Sequence, residues 1–266
     1  MTAKKKRKNM VKGLYTAYTG MINEQNRMDV LTNNLANSDT SGFKKEGATS
    51  QAFDTVLAYK IKDASVSPKI ATKIGGMNLG VKVGENYTDY SQGPFKVTGN
   101  TYDLGISGTG FYNIEFTNKA GKTSTKYTRD GSFTVNKEGY LVTKDGDYVL
   151  GESGRLKLDP TKEVSIDSLG NISQEGKAIG TVKITDFEDY NYFEHYGENY
   201  FQPVKGAKEK DGDYTINQGY LETSNVQVVQ EMVEMISVSR QYETNQRMIT
   251  TIDSTLEIAS KQLGKV

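Results

Sequence analysis

The sequence predicts an α+β protein: long N- and C-terminal helices forming a coiled-coil domain, with a central antiparallel β-rich domain. Three observations carry that expectation. Apolar residues recur at alternating spacings of three and four near the start of the 266-residue chain, and again near its end, the pattern of a helical seam. Between these stretches, over roughly residues 80–220, glycine and short alternating runs replace the seven-residue repeat.

Residues 1–11 read as a basic, disordered leader. Lys4, Lys5, Lys6, Arg7 and Lys8 stand there without an acid, so the zero formal charge of the chain divides into +5 over residues 1–9 and −5 over the rest. Such a cluster can serve as an import signal or a nucleic-acid patch, but a solvated leader is the plainer expectation. The apolar stretch that a secretory signal needs does not follow; MVKGLYTAYTGM is interrupted by Lys12 and polar residues, so no cleaved signal is expected.

Residues 12–54 read as a helix and turn. Leu14, Ala17, Met21, Glu24, Met28, Leu31 and Leu35 keep the three–four spacing, and six of these seven are apolar. Asn33, Asn34 and Asn37 suit a helix end, because asparagine hydrogen-bonds its own backbone and tolerates left-handed conformations. Residues 55–80 fit neither pattern and read as a linker. Residues 81–219 read as the β-rich domain. Phe133 and Val135 alternate with polar residues before a four-residue loop at 136–139, Tyr140 and Val142 follow, and further turns fall at 144–147 and 170–171. Residues 220–266 read as the C-terminal helix. Ser224 with Gln227 makes a capping box, placing the start near Asn225. Met235, Val238, Tyr242, Asn245, Ile249, Ile252, Leu256, Ala259 and Leu263 then keep the seam in eight of nine positions. A helix over 225–263 extends about 58 Å at 1.5 Å per residue. That is longer than a small β domain is wide, so such a helix needs partners beyond its own domain.

Several classes of function are disfavoured. The chain has no cysteine and a single histidine, His195, which excludes disulfides, thiolate metal sites and two-histidine zinc sites. His195 lies among Tyr192, Phe193 and Tyr196 and reads as a packed or surface residue. Gly105, Gly108 and Gly110 have the order G-x-x-G-x-G and precede a strand, unlike a dinucleotide-binding loop, which needs a helix N-terminus. Asp211, Asp213, Thr215, Asn217 and Glu222 fall at calcium-loop spacing, yet Ile216 stands where that loop needs glycine, so a β turn is the expectation. No catalytic residue, cofactor or metal site is expected, and neither nucleic acid nor a small-molecule substrate is an expected partner.

Three blocks carry a family likeness. GLYTAYTGM and NNLANSDTSGFKK near the start, YDLGISGTGFYNI and YTRDGSFTVNKEGYLVTKDGDYVLG in the middle, and GYLETSNVQVVQEMVEMISVSRQYETNQRMITTIDSTLEIA at the end resemble the rod and hook class of bacterial flagellar axial proteins. Asn34, Leu35, Asn37, Thr40, Gly42, Phe43, Glu222, Ser224, Asn225 and Glu231 fall on the family motifs, whereas Gly105, Tyr112 and the basic leader depart from the pattern. Basal-body rod proteins are the nearest match within that class, because no extra outer domain is inserted. The resemblance implies a structural subunit of the rod, self-assembling through its terminal helices into the drive shaft that transmits torque. Its implied partners are copies of itself, other rod and hook proteins, and the flagellar export apparatus. It also implies export across the inner membrane without a cleaved signal, with Phe53 and Leu57 matching a Phe-x-x-x-hydrophobic export element. The alternative is a secreted β-rich surface or glycan-binding module on a helical stalk, with Tyr87, Tyr90, Tyr190, Tyr192, Tyr196 and Tyr200 as a stacking surface.

Overall fold

The computed structural model describes the backbone of residues 2–54, 56–60, 72–78, 80–118, 121–197 and 199–263, and the side chains of these residues outside 2–12, 56–60, 72–77 and 262–263. The protein is α+β, with two long terminal helices and a large β-rich region. It divides into two compact units, one of residues 1–35, 46–89 and 227–266, the other of residues 36–45 and 90–226.

The first unit contains both helices. α1 (Thr2–Ala36) has no proline and only two glycines, Gly13 and Gly20. It starts at Thr2, so the basic residues expected in a disordered leader are helical instead. Lysine and arginine are good helix formers, and nothing breaks the run before Val11. Among the described residues, β1 (Glu46–Ala52), β2 (Val56–Lys60), β3 (Thr72–Met77) and β4 (Val81–Thr88) follow. β1 pairs antiparallel with β4 through a register shift between Ala48 and Ser50, and β2 pairs antiparallel with β3. The expected linker at 55–80 therefore carries two strands, and the stretch from 81 to 89 belongs with the helices, not with the β-rich unit. β1 (EGATSQA) is too polar to show an alternating apolar face, so its partnership with β4 left little trace in the sequence.

α2 (Val228–Leu263) spans 36 residues without glycine or proline, about 54 Å at 1.5 Å per residue. It begins three residues later than the capping box suggests; the Glu231 N–H donates to Gln227 O at 3.0 Å. The polar side chains before it have other tasks. Asn225 Oδ1 accepts the Lys45 N–H at 2.7 Å and its Nδ2 donates to Ser91, while Ser224 Oγ accepts the Val226 N–H at 3.3 Å. No helix among the described residues is long and apolar enough to cross a membrane.

The second unit is built on an antiparallel sheet. β5 (Phe95–Val97), β6 (Leu104–Gly108), β7 (Phe111–Thr117) and β8 (Thr123–Thr128) come first. The main sheet runs Phe193–Tyr196, Tyr200–Pro203, β8, β7, Tyr148–Gly151, Leu141–Val142, Thr134–Val135. A smaller meander joins Val164–Ile166, Asn171–Gln174 and Lys177–Thr181. The loop expected at 136–139 connects its hairpin, with Asn136 Oδ1 accepting the N–H groups of Glu138 and Tyr140. The turns at 144–147 and 170–171 also form, closed by Gly146 N to Thr143 O and Gly170 N to Asp167 O. Ile114, Val149, Ile172 and Tyr112 lie at the centre of one core. A second cluster gathers Phe111, Tyr127, Phe187 and Phe201 against Tyr90, Tyr190 and Phe193, with edge-to-face contacts such as Phe187–Phe193 at 4.5 Å.

Candidate functional site

In the helical unit α1 and α2 run antiparallel. Arg27 Nη2 meets Glu234 Oε1 at 3.0 Å, and Asn34 Nδ2 donates to Glu231 Oε2 at 3.2 Å. Gly13 and Gly20 face Ile252 and Asn245, and a Cβ at Gly20 would lie 3.0 Å from Asn245 Nδ2. Contacts on α1 thus include 13, 20, 27 and 34, seven residues apart, with Glu24 between them. Along the seam Ala17, Leu31 and Val238 are buried; Leu14, Met21, Met28, Leu35, Met235, Tyr242, Ile249, Ile252 and Ala259 are half-buried, and Leu256 is exposed. The Leu263 side chain lies outside the described residues. Glu24, the polar residue of the α1 seam, is buried and pairs with Arg27 at 3.3 Å, and the Gln241 amide donates to its carboxylate at 3.2 Å.

A second apolar face exists on α2 and is uncovered. Val229, Met232, Val233 and Ile236 stand at the i, i+3, i+4, i+7 spacing of a helix stripe, and Val229, Val233 and Ile236 are 76%, 63% and 54% exposed. Ile258 lies on the same side of α2 and is also exposed; elsewhere in the unit Tyr15, Tyr18, Ile22 and Met248 are exposed apolar side chains. Grooves lined by Val233, Ile236 and Arg240, and by Val228, Val229 and Val233, run along the stripe.

Two polar clusters explain the motif residues. In the helical unit the Asn34 amide behaves like a strand partner to Glu46, accepting its N–H at 2.9 Å and donating to its carbonyl at 2.7 Å. In the β-rich unit Glu222 accepts from Lys44 Nζ at 2.5 Å, Arg129 Nη1 at 3.1 Å and the Gly93 N–H at 2.9 Å. Lys44 and Glu222 are 1% exposed and Arg129 5%. Lys44 Nζ also donates to Ser91 O, and Arg129 to the carbonyls of Ile106 and Gly108. Gly42 and Phe43 lead into this cluster; the Gly42 N–H donates to Glu222 O at 2.8 Å, and Phe43 is buried. Asn37 and Thr40 close the turn before it, Thr40 Oγ1 donating to Asn37 Oδ1 at 3.2 Å. Sequence reasoning missed the joint role of Lys44, Arg129 and Glu222. The signal in the sequence was weak: of the stretches GFKK, YTRDG and GYLET, only the last carries a single charge, and the first two each carry a second beside Lys44 or Arg129.

The remaining sequence candidates resolve plainly. Glu222 is committed to two cations, and 214–218 forms a strand paired with β6, as a β turn leading into it requires. The metal-loop spacing at 211–222 is thereby given another explanation, and no cluster of three or more acidic or histidine side chains suited to a metal occurs among the described residues. Gly108 has φ +111° and a Cβ there would lie 2.2 Å from Asp213 O, so close backbone approach accounts for that glycine. His195 lies on an exposed strand, edge-on to Phe201 at 5.2 Å. Of the six tyrosines, Tyr87, Tyr192 and Tyr196 are exposed, whereas Tyr90, Tyr190 and Tyr200 are half-buried; Tyr190 Oη donates to Asp186, and Tyr200 Oη to Asp147. Burial pushes the Tyr190 and Tyr200 phenols above their ordinary range. Phe53 is exposed, and the side chain of Leu57, in β2, lies outside the described residues.

Family models match all three blocks: "Flagella basal body rod protein" at residues 14–44, "Flagellar hook protein FlgE/F/G D1 domain" at 105–174, and "Flagellar basal body rod FlgEFG protein C-terminal" at 217–262. The chain is 31% identical to the flagellar basal-body rod protein FlgG of Buchnera aphidicola subsp. Schizaphis graminum over 95% of its length and all of that protein. The chain belongs to the flagellar basal-body rod protein family. It is also similar to FlgF of Caulobacter vibrioides, at 33% identity over 97% of the chain and all of that relative, and to FlgG of Bacillus subtilis, at 34% over 93% and 97%. A structural subunit of the rod in the flagellar basal body, in company with other rod and hook proteins, is therefore its function. The reading as a glycan-binding module on a stalk has no support among these rod relatives and is dropped.

Proposed function

We propose that this rod subunit assembles by packing α1 and α2 as a coiled coil whose outer faces are covered by further copies and by neighbouring rod and hook proteins. The uncovered stripe Val229, Met232, Val233 and Ile236 carries the reading. It is opposed in purpose to the inner seam, which already has α1 as partner. Burying a side chain of this size contributes about 1.5–3 kcal/mol, so four in register supply a substantial interface. The seven-residue recurrence of α1 contacts supports the coiled-coil geometry. Head-to-tail contacts that do not close on themselves yield a helical filament, the form a drive shaft requires.

The assembly residues in this reading are Leu14, Ala17, Met21, Met28, Leu31, Leu35, Met235, Val238, Tyr242, Ile249, Ile252, Leu256, Ala259 and Leu263 within the coil, with the outer stripe between subunits. The subunit performs no catalysis, and it reaches the rod through the flagellar export apparatus without a cleaved signal, Phe53 and Leu57 serving in recognition. The test is the full-length Val233→Asp, Ile236→Asp double variant. Incorporation into purified basal bodies and swimming are expected to be lost, with the tyrosine near-UV circular dichroism of the β-rich unit unchanged. Wild-type incorporation of the variant would refute the proposal.

A further inference from the structure

The chain has eight methionines and no cysteine, so its oxidisable sulfur is thioether sulfur alone. Among the methionines whose side chains are described, Met21, Met28 and Met235 are half-buried, and all three belong to the seams of α1 and α2. Met232 and Met248 are 46% and 57% exposed. Exposure decides which sulfur an oxidant in solution can reach.

Met232 and Met248 are alike in exposure and different in position. At 3.6 residues per turn Met232 falls within the stripe of Val229, Val233 and Ile236, whereas Met248 lies about a quarter turn away around α2. The two sulfurs therefore meet the same reagents, but their products disturb different surfaces. A peroxide transfers one oxygen to the thioether: the sulfur lone pair attacks, the O–O bond breaks, and the leaving hydroxide takes up a proton to depart as water. The sulfur loses two electrons and the peroxide gains them. The product is a sulfoxide, which exchanges a flexible apolar tip for a polar one. Val229, Val233 and Ile236 are aliphatic and supply no side-chain donor to the new oxygen, so covering it is unfavourable.

We propose that Met232 is a peroxide-sensitive modification site: its sulfoxide disables the outer stripe of α2 in a subunit that has not yet joined the rod. This rests on the reading of that stripe as the surface between subunits. Once the stripe is covered the sulfur is out of reach, so the assembled rod is insensitive. The site thus ties the supply of competent subunits to the oxidant they meet before assembly.

Two measurements on the full-length chain test this. Peptide mass spectrometry after brief exposure to hydrogen peroxide is expected to show oxygen added to Met232 and Met248 at least fivefold faster than to Met235. Equal rates at Met232 and Met235 overturn the proposal. In the second, cells building new rods make equal amounts of the unmodified chain and of Met232→Leu, and the ratio of the two in purified basal bodies is read. Leucine keeps the apolar volume and has no sulfur to oxidise. Hydrogen peroxide is expected to shift that ratio at least fivefold toward Met232→Leu, relative to cells without peroxide, whereas Met248→Leu gains nothing in the same competition. An unmoved ratio for Met232→Leu, or an equal gain for Met248→Leu, overturns the proposal. The Val233→Asp, Ile236→Asp variant tells the two failures apart. If it is incorporated normally, the assembly reading falls and the proposal with it; if it is excluded while the peroxide ratio stays unmoved, the proposal alone falls.

Discussion

The two units bury their apolar residues to very different extents. In the β-rich unit Tyr112, Ile114, Val149 and Ile172 have no exposed surface, and a second cluster of aromatic rings packs beside them. In the helical unit, among the described residues, Ala17, Val30, Leu31 and Val238 are buried, while Tyr15, Tyr18, Val229, Met232, Val233, Ile236, Met248 and Ile258 stand in solvent. One unit has finished its core; the other has half a core and an apolar surface where the rest belongs. The contrast is what the proposed assembly calls for: a self-contained unit keeps its shape, and an exposed apolar face favours association.

The largest effect that separates the units is expected from a matched pair of truncations. Ile172→Ala should lower the urea-unfolding free energy of the β-rich unit by about 2–5 kcal/mol, the range for deleting a buried isoleucine side chain down to alanine. Ile236→Ala on the open face of α2 should change the unfolding free energy of the helical unit by less than about 0.5 kcal/mol. Equal costs would break the contrast.

A middle-sized effect is expected inside the helical unit. Asn34 satisfies both backbone groups of Glu46 and also reaches Glu231, so Asn34→Ala should cost about 1–3 kcal/mol of local stability. Faster amide hydrogen exchange in β1, with exchange in β7 unchanged, is the expected readout. Exchange that rises equally in both strands would mean that the two units unfold as one.

The smallest effect concerns the surface of the β-rich unit. The Arg155 guanidinium hydrogen-bonds Glu115 at 2.8 and 2.7 Å and holds its carboxyl below the usual carboxylate range. A depressed folded pKa contributes stability that is present above the unfolded value of about 4.5 and is lost as pH falls through the folded value. Arg155→Ala should therefore move the Glu115 titration, followed by NMR, toward 4.5 and flatten the acid side of the stability curve. The change should be slight, because the pair is partly exposed and solvent screens it.

Much of the architecture was legible in the residues. The apolar spacing of Leu14 to Leu35 and of Met235 to Ala259 marked two helices, and Asn136–Glu138 before Gly139 marked a hairpin, because both signals are local. The pairing of β1 with β4 was not legible, since EGATSQA has no apolar alternation to read. Ser224 and Asn225 looked like a helix start because their backbone-seeking side chains suit one, yet Asn225 is occupied by Lys45 and Ser91. Local chemistry gave way there to a partner 180 residues away.

By itself, the sequence determined the α+β class, the two terminal helices, the glycine-marked turns and membership of the rod family, since each depends on residue type and short spacing. Only the tertiary structure decided that Lys44, Arg129 and Glu222 meet, that Asn34 clamps Glu46, and that α2 has a covered face and an open one. Those outcomes turn on which distant segments share a volume, and on the cost of burying a charge or an amide without a partner. Side-chain spacing along the chain carries neither quantity.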